Sequence, residues 1–462
     1  MKTVDRVPTR PRGIAIAMAL VLVATVGCSA VAPTTSPGSS PSASAPAPTS
    51  PSPSPSGTAG PSAGDVELLA ANAPRSAADP ARATVAAQAM NAFGLDLYRS
   101  FADPTANAIV SPSSIALALA MARLGAAGDT AAEMDTVLHG LAAGGALDPI
   151  NALDAALAAR TGSFRDAEGV DHEIVLRIAN APFGQRGLAI RDAYLEALAT
   201  GFGAGLRVVD FIADPELARG LINAWVADAT ADRIEELLAG GTITSDTRLV
   251  LVNAIYLKAA WQFPFPEAAT RPATFSLPDG YRVDVTTMNA TSHLSYAAGP
   301  GWQAVELPYV GGALAMTIIV PDDLGAFVDG LTAEQLADLT ASLEPRTVDL
   351  SLPKFGFETR AELSDLLAAL GMPSAFDAER ADFSAITAEL DLVISKVIHQ
   401  ANIDVDEKGT EAAAATAVVM DTTGGPVDVV TVRVDRPFLF AIRDRETGAV
   451  VFLGQVADPR AT

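Results

Sequence analysis

Cysteine and histidine are scarce in this sequence. The 462 residues include one cysteine, Cys28, and four histidines, which are His139, His172, His293 and His399. A single cysteine cannot close a disulfide within the chain, and the sequence has neither an H-E-x-x-H pair nor a G-x-S-x-G motif. These absences argue against a metal centre and against a serine hydrolase site, so we expect no cofactor and no catalytic activity.

Basic residues are also few. The chain has 31 lysines and arginines against 54 aspartates and glutamates, which gives a formal net charge of −23 at pH 7. Proteins that bind nucleic acid neutralise its phosphates with basic surface. We therefore expect no nucleic-acid partner, and a polyanionic cofactor of the heparin type is equally disfavoured.

The N-terminus has the composition of an export signal. Four basic residues within the first 12 precede an uncharged run from residue 13 to residue 27, which is the pattern of a secretory signal peptide. The run is shorter than the roughly 20 residues that a membrane-spanning helix needs. We predict a signal peptide at residues 1–27 and favour export over a retained span.

The lone cysteine follows the segment VATVG and resembles the lipidated cysteine of bacterial lipoproteins, although Thr25 stands where that motif usually has leucine. We predict a lipidated Cys28 that holds an extracellular or cell-surface protein at the cell membrane. An ordinary secreted protein and an uncleaved anchor are the alternatives.

Residues 28–78 are predicted to be a disordered linker. Serine, proline and alanine dominate this stretch, and it has no charge or aromatic residue from residue 29 to residue 64. Such a composition cannot bury a core and acts as a semi-rigid spacer. No second linker divides the remainder, so we expect one large domain at residues 79–462.

Local patterns in this domain predict an α+β fold with largely antiparallel sheets. Residues 111–134 begin with Ser-Pro and keep apolar residues on one face, which predicts a buried helix that ends near Gly125. The apolar runs at 248–257, 313–320, 347–355 and 449–456 predict strands. The glycine-rich stretch 201–211 is interpreted as a turn before a strand.

The segment from residue 407 to residue 426, EKGTEAAAATAVVMDTTGGP, is suited to two conformations. Its alanines favour a helix, whereas Thr416, Val418, Val419 and Met420 prefer a strand. An exposed helix or a flexible tether is the alternative to a functional segment.

Seven segments in order resemble the serpin family of protease inhibitors across about residues 85–459. They are SPSSIALALAMARLGAAGDTAAEM, LVNAIYLKAAWQFPF, AVELPYVGGALAMTIIVP, VDLSLPKFGFE, LGMPSAFDAERADFS, LVISKVIHQANIDVDEKGTEAAAATA and DRPFLFAIRDRETGAVVFLGQVADP. The resemblance implies a serpin fold with three β-sheets, about nine helices and an exposed reactive-centre loop. It departs from the family at Asp232 and Ala259, where serpins commonly have glycine.

The resemblance implies that a protease cleaves this loop and that the cut segment inserts as a strand into the largest sheet. The hinge is assigned to Glu407, Gly409, Thr410, Glu411, Ala412, Ala413, Ala414 and Ala415. The reactive bond is placed between Thr423 and Gly424, with Met420, Asp421 and Thr422 as alternatives for the residue before the cut. Small hinge residues slide between strands without overpacking, and no proline interrupts the sequence between Gly409 and Gly425.

Two further groups carry over from the family. A breach, where the loop first enters the sheet, is assigned to Trp261, Lys354 and Glu407. A shutter, which holds the central strands together, is assigned to Ser111, Ser114, Asn253 and His399. A surface salt bridge and an ordinary buried histidine are the respective alternatives.

The sequence is thus interpreted as a monomeric, irreversible suicide-substrate inhibitor of an extracellular serine protease of elastase-like or subtilisin-like specificity. The partner is a serine protease, or alternatively a cysteine protease, held in a covalent complex. A membrane is contacted only through a lipidated Cys28. A non-inhibitory serpin used as a binding module and a secreted hydrolase are the other candidates.

Overall fold

The computed structural model describes residues 62, 64, 66–166, 169–411 and 428–461. Nine α-helices lie within these residues. They are Ala83–Phe101 (α1), Pro112–Arg123 (α2), Gly128–Val137 (α3), Asp148–Ala158 (α4), Asp192–Phe202 (α5), Pro215–Ala229 (α6), Leu324–Gly330 (α7), Ala333–Ala341 (α8) and Ser364–Leu370 (α9).

Seventeen strands are formed in the same described ranges. They are Glu67–Leu69 (β1), Ala108–Val110 (β2), Gly162–Arg165 (β3), Asp171–Gln185 (β4), Leu206–Val209 (β5), Leu249–Ala260 (β6), Arg271–Ser276 (β7), Arg282–Gly299 (β8), Trp302–Pro308 (β9), Leu314–Pro321 (β10), Glu344–Pro353 (β11), Phe355–Glu362 (β12), Lys396–Val405 (β13), Gly409–Thr410 (β14), Val429–Arg433 (β15), Phe438–Asp444 (β16) and Val450–Val456 (β17).

Hydrogen bonds join these strands into two sheets, where three were expected. One has eight strands in the order β1-β5-β4-β6-β14-β13-β12 with β3 beside β4, and the other has nine in the order β15-β11-β8-β9-β10-β16-β17-β2 with β7 beside β8. The long strand β8 explains the lower number. It pairs in turn with β7, β11 and β9, so strands that could form two sheets share one continuous member.

The predicted helix at 111–134 corresponds to α2 and α3, separated near Gly125 as expected. All 12 residues of α2 are buried, because the helix packs against β4 and β6 of one sheet and β17 of the other. The Ser111 hydroxyl caps its first turn by accepting a hydrogen bond from the Ser114 amide at 3.2 Å.

The two central strands of the eight-stranded sheet, β6 and β13, run parallel and pair from Val250 beside Lys396 to Ile255 beside Ala401. We call the junction between these strands the seam. Alternate residues of both strands face opposite sides of the sheet. One side packs in the core that contains α2, and the other packs beneath α6.

The folded part begins before residue 79. Residues 67–69, which fall in the predicted linker 28–78, form β1 and pair with β5 at the edge of the eight-stranded sheet. Val66 is buried beneath α6, and Arg75 forms an ion pair of 2.7 Å with Asp154. The end of the Ser/Pro-rich stretch is therefore a better N-terminal boundary for the folded domain than residue 79.

Among the described residues, no helix is both long and apolar enough to cross a membrane.

Candidate functional site

The hinge is already part of the sheet. Gly409 and Thr410 form β14, which lies between β6 and β13 at the end of the seam and pairs antiparallel with both. Gly409 is opposite Ala260, and Thr410 lies between Ala259 and Val405. Sequence analysis placed these residues in the hinge but did not predict that two of them are inserted while the chain is uncut.

Gly409 cannot be replaced at this position without strain. Its φ is +154°, and a Cβ atom built there would lie 2.8 Å from the Cα of Ala260 and far inside contact with the carbonyl oxygen of Ala259. Glycine alone among the amino acids combines that backbone conformation with so close an approach to a neighbouring strand. Glycine at residue 409 therefore allows the chain to enter the sheet at this point.

Thr410 is anchored in a buried aromatic pair. Thr410 is only 2% exposed, and its hydroxyl lies 2.7 Å from the hydroxyl of Tyr309. The ring of Tyr309 stacks on Trp261 with centroids 4.6 Å apart and an angle of 11°. Burial raises the pKa of Tyr309, so its hydroxyl stays protonated as a hydrogen-bonding group.

The three breach residues, Trp261, Lys354 and Glu407, meet around the turn that precedes β14. The indole nitrogen of Trp261 donates to the carbonyl oxygen of Asp406 at 3.0 Å. Lys354 Nζ lies 2.5 Å from Glu407 Oε2, and the Thr270 hydroxyl donates to Glu407 Oε1 at 2.7 Å. Sequence analysis missed Tyr309 and Thr270, which no local pattern connects to the hinge.

The carboxylate of Glu407 is held in its charged form. Burial alone would favour the neutral acid, but hydrogen bonds from Lys354 and Thr270 outweigh burial and lower the pKa of Glu407 from its usual value. The side chain of Glu407 is 8% exposed and that of Lys354 is 36% exposed. The pair is therefore more enclosed than an ordinary surface salt bridge, which contributes at most about 1 kcal/mol.

The shutter residues meet in the middle of the seam. His399 on β13 and Asn253 on β6 are directly opposite, and His399 Nδ1 is hydrogen-bonded to Asn253 Oδ1. The amide of Ser111 donates to His399 Nε2 at 3.1 Å. Because Nε2 accepts this bond, the proton of the neutral ring lies on Nδ1 and is donated to Asn253.

Ser114 connects the same helix to a third strand. Its hydroxyl donates to Asn180 Oδ1 at 2.9 Å, and Asn180 Nδ2 donates back to the Ser114 carbonyl oxygen at 2.9 Å. Asn180 lies on β4 opposite Asn253. Sequence analysis missed Asn180, although an asparagine within an apolar strand is a signal for a specific hydrogen bond.

His399 is 1% exposed, and burial lowers its pKa to about 3. The ring is therefore neutral at physiological pH, as its two hydrogen bonds require. Asn253 is 0% exposed, and its Nδ2 atom has no hydrogen-bond partner among the described residues. The seam thus closes with one buried donor unsatisfied.

Several predicted site residues lie outside the described residues. They are Ala412, Ala413, Ala414 and Ala415 of the hinge, Thr423 and Gly424 of the reactive bond, and Cys28. In the described ranges, no group of three or more histidine, aspartate or glutamate side chains is arranged to hold a metal ion.

The fold and the site define a protein whose central sheet includes two hinge residues, Gly409 and Thr410, as a short strand between its two central strands. A family model described as serpin (serine protease inhibitor) matches residues 88–459. The chain is 38% identical over 378 residues to an uncharacterized serpin-like protein of Thermococcus kodakarensis, covering 80% of this chain and 85% of that protein. It is 36% identical over 382 residues to the leukocyte elastase inhibitor of Bos taurus, covering 79% of this chain and 97% of that protein.

The crystal structure of tengpin, a thermophilic serpin, in the native state matches with a TM-score of 0.72 at 26% identity, covering 85% of this chain and 99% of that chain. This chain therefore belongs to the serpin family of serine protease inhibitors. The expected α+β serpin fold is confirmed.

Proposed function

We propose that this protein is an irreversible suicide-substrate inhibitor of an extracellular serine protease with elastase-like or subtilisin-like specificity. The observation that carries the proposal is the hinge strand β14, which lies in register between β6 and β13. Serpin loop insertion is a recognised example of strand addition to a sheet. The first two residues of such an addition are in place here.

The register of β14 specifies where a longer strand would go. Because it is antiparallel to both neighbours, each further loop residue would move one residue back along β6 and β13. Residue 416 would then lie between Asn253 and His399, the two shutter residues. Residues 419 and 420 would reach the first residues of β13 and β6, so the loop has the length needed to fill the seam.

The composition of the loop fits that path. Residues that would share the face of Asn253 are Thr410, Ala412, Ala414, Thr416, Val418 and Met420. None is charged, so none needs a buried counter-ion. A strand along the full 12 residues of β6 would carry its cut end roughly 40 Å, at about 3.3 Å per residue.

Insertion is expected to be favourable. It breaks the direct pairing of β6 with β13 from Val250 to Ile255, but the new strand pairs with both neighbours. A dozen or so newly paired residues at about 1 kcal/mol per hydrogen bond contribute on the order of 10 kcal/mol. Burial of the alanine, valine and methionine side chains adds to this.

The chemical step belongs to the protease. Its nucleophile attacks the carbonyl carbon of Thr423, the bond to Gly424 breaks, and the new Gly424 amine leaves with the proton that the protease's general base removed from the nucleophile. An acyl bond then joins Thr423 to the protease. Insertion that is faster than hydrolysis of this bond traps the covalent complex.

Mixing the protein with elastase and subtilisin tests the proposal on a denaturing gel. We expect a protease adduct that survives boiling, and a released C-terminal fragment whose mass places the cut after residue 423. No lysine or arginine lies between Gly409 and Val432, so trypsin is expected to form no adduct in this loop. Clean cleavage without an adduct would contradict inhibition, and would favour a binding module instead.

A matched pair of variants separates insertion from cleavage. Thr410→Arg places a charge where the native residue is 2% exposed, so the hinge cannot remain in the sheet. Thr136→Arg makes the same change at an exposed position of α3. We expect Thr410→Arg to be cleaved without forming an adduct and Thr136→Arg to inhibit normally. Equal adduct formation by the two variants would contradict the insertion mechanism.

We also propose that the protein is exported, anchored to the cell membrane by a lipid on Cys28, and active as a monomer at the cell surface. The export-like first 27 residues and the following Ser/Pro-rich stretch support this placement. Incorporation of labelled palmitate is expected in the native protein and not in Cys28→Ala. Equal labelling of both proteins would exclude the anchor.

A further inference from the structure

Arg233 pairs with two carboxylates beside the end of the seam. It lies on the connection between α6 and β6, and its guanidinium forms ion pairs with Asp404 on β13 and with Glu411, the residue after the hinge strand. Its Nε atom is 2.5 Å from Glu411 Oε1. The carbonyl oxygen of Arg233 also accepts a hydrogen bond of 3.2 Å from the side chain of Asn402 on β13.

The backbone before Arg233 is unusual. Ala231 and Asp232 both have left-handed conformations, with φ values of +53° and +60°. Such conformations are unfavourable for residues other than glycine. Hydrogen bonds hold the turn, including one of 2.7 Å from the Asp232 amide to the Ala227 carbonyl oxygen. The chain thus tolerates local strain at the turn that presents Arg233 to the seam.

Glu411 marks the point where the inserted strand stops. Its φ is +52°, so it leaves the extended conformation of Gly409 and Thr410. Its amide still donates to the Asp404 carbonyl oxygen at 3.1 Å, and its side chain is only 12% exposed. Burial raises the pKa of Glu411, although Arg233, a hydrogen bond with Tyr256 and the charge of Lys258 all favour its charged form.

We propose that Arg233 is a positioning residue that holds the hinge at its two-residue insertion before cleavage. Its guanidinium neutralises Glu411 and Asp404 together, and this keeps Glu411 against the sheet and Thr410 buried behind it. Any effect of Arg233 on protease inhibition rests on the function proposed above. Its effect on the position of the hinge does not.

The expected response to loss of Arg233 follows from the charges. Without the cation, two carboxylates that share one guanidinium would repel each other. Asp404 is fixed within β13 opposite Gly356, whereas Glu411 ends the inserted segment. Glu411 would therefore move into solvent and draw Thr410 out of the sheet.

Hydrogen exchange on the uncleaved protein measures this directly. In Arg233→Gln we expect the amides of residues 406–411 to exchange about five to ten times faster, because the ion pair with the largely buried Glu411 is lost. Arg233→Lys retains the charge and is expected to keep most of the protection. Glu411→Gln added to Arg233→Gln removes the repulsion and is expected to restore much of it, which a purely structural role of Arg233 would not predict.

Arg219 supplies the matched control. It lies on α6 and also pairs with two carboxylates, Glu216 and Glu236, but contacts no hinge residue among those described. We expect Arg219→Gln to leave hinge exchange unchanged. Unchanged exchange in Arg233→Gln, equal acceleration in Arg219→Gln, or no restoration by Glu411→Gln would each overturn the proposal. The exchange experiments contain no protease, so their outcome does not depend on inhibition. A wild-type protein that forms no adduct with a protease would contradict only the proposed function.

Discussion

Replacement of His399 by alanine is expected to destabilise the uncut protein more than the cleaved one. In the uncut protein the ring accepts a hydrogen bond from the Ser111 amide and donates one to Asn253. Ser111 and Asn253 are both 0% exposed, so neither group can turn to solvent. Loss of the ring leaves a buried amide and a buried carbonyl oxygen without partners.

The magnitude follows from these two groups. Each buried polar group left unsatisfied costs about 1 to 3 kcal/mol, and the cavity left by the ring adds to this. With two such groups, a loss of at least about 2 to 6 kcal/mol is therefore expected. In the inserted state a new strand would separate β6 from β13 by about a further 4.8 Å, so the bond between His399 and Asn253 would already be absent.

Thermal unfolding followed by circular dichroism before and after loop cleavage measures the difference. We expect His399→Ala to lower the melting temperature of the uncut protein by about 2 to 7 °C, to change the cleaved protein much less, and to promote polymers or premature insertion on native gels. His293→Ala removes an exposed histidine and is the matched control. An equal fall in both forms, or an unchanged and monomeric variant, would refute the reasoning.

Three further predictions concern the same seam. Because burial lowers the pKa of His399 to about 3 while an unfolded histidine titrates near 6.5, the unfolded chain binds the extra proton between these values. The free energy of unfolding should therefore fall with decreasing pH across that window, by up to about 1.4 kcal/mol per pH unit. Urea denaturation at pH 7 and pH 5 measures this fall. The part of the fall that is due to His399 should be absent in His399→Ala. Gly409→Ala should displace β14 by its clash with Ala259, seen as faster amide exchange in residues 406–411; unchanged exchange would show that the hinge tolerates a side chain. A double-mutant cycle of Lys354→Met and Glu407→Gln should give a coupling of about 1 kcal/mol in the free energy of unfolding. Zero coupling would show that this ion pair does not stabilise the uncut protein.

The elements with strong local patterns were predictable from the sequence. The apolar run at 248–257 became β6 at 249–260, and the run at 313–320 became β10 at 314–321. The helix at 111–134 began at its Ser-Pro signal and ended where glycine allows the chain to turn. In these segments periodicity and helix capping agree with the tertiary packing, so local information is sufficient.

The features missed by sequence analysis depend on contacts between distant parts of the chain. β14 is two residues long and is specified by its pairing with β6 and β13 rather than by propensity. The short strand β1 follows a Ser/Pro-rich stretch and is formed by pairing with β5. Thr270 contacts Glu407 from 137 residues away, a separation that no local pattern reports.

The hydrogen bonding of Asn253 connects closure of the seam to its opening. Its side-chain oxygen Oδ1 is hydrogen-bonded to His399, while its Nδ2 donor is buried without a hydrogen-bond partner among the described residues. Such a donor costs about 1 to 3 kcal/mol. A strand continued in the register of β14 would bring Thr416 beside it, and a threonine hydroxyl can both accept and donate. Under the proposed insertion, the bond that would break and the donor that would be satisfied belong to one side chain, so part of the cost of separating the strands would be offset at the place where it arises.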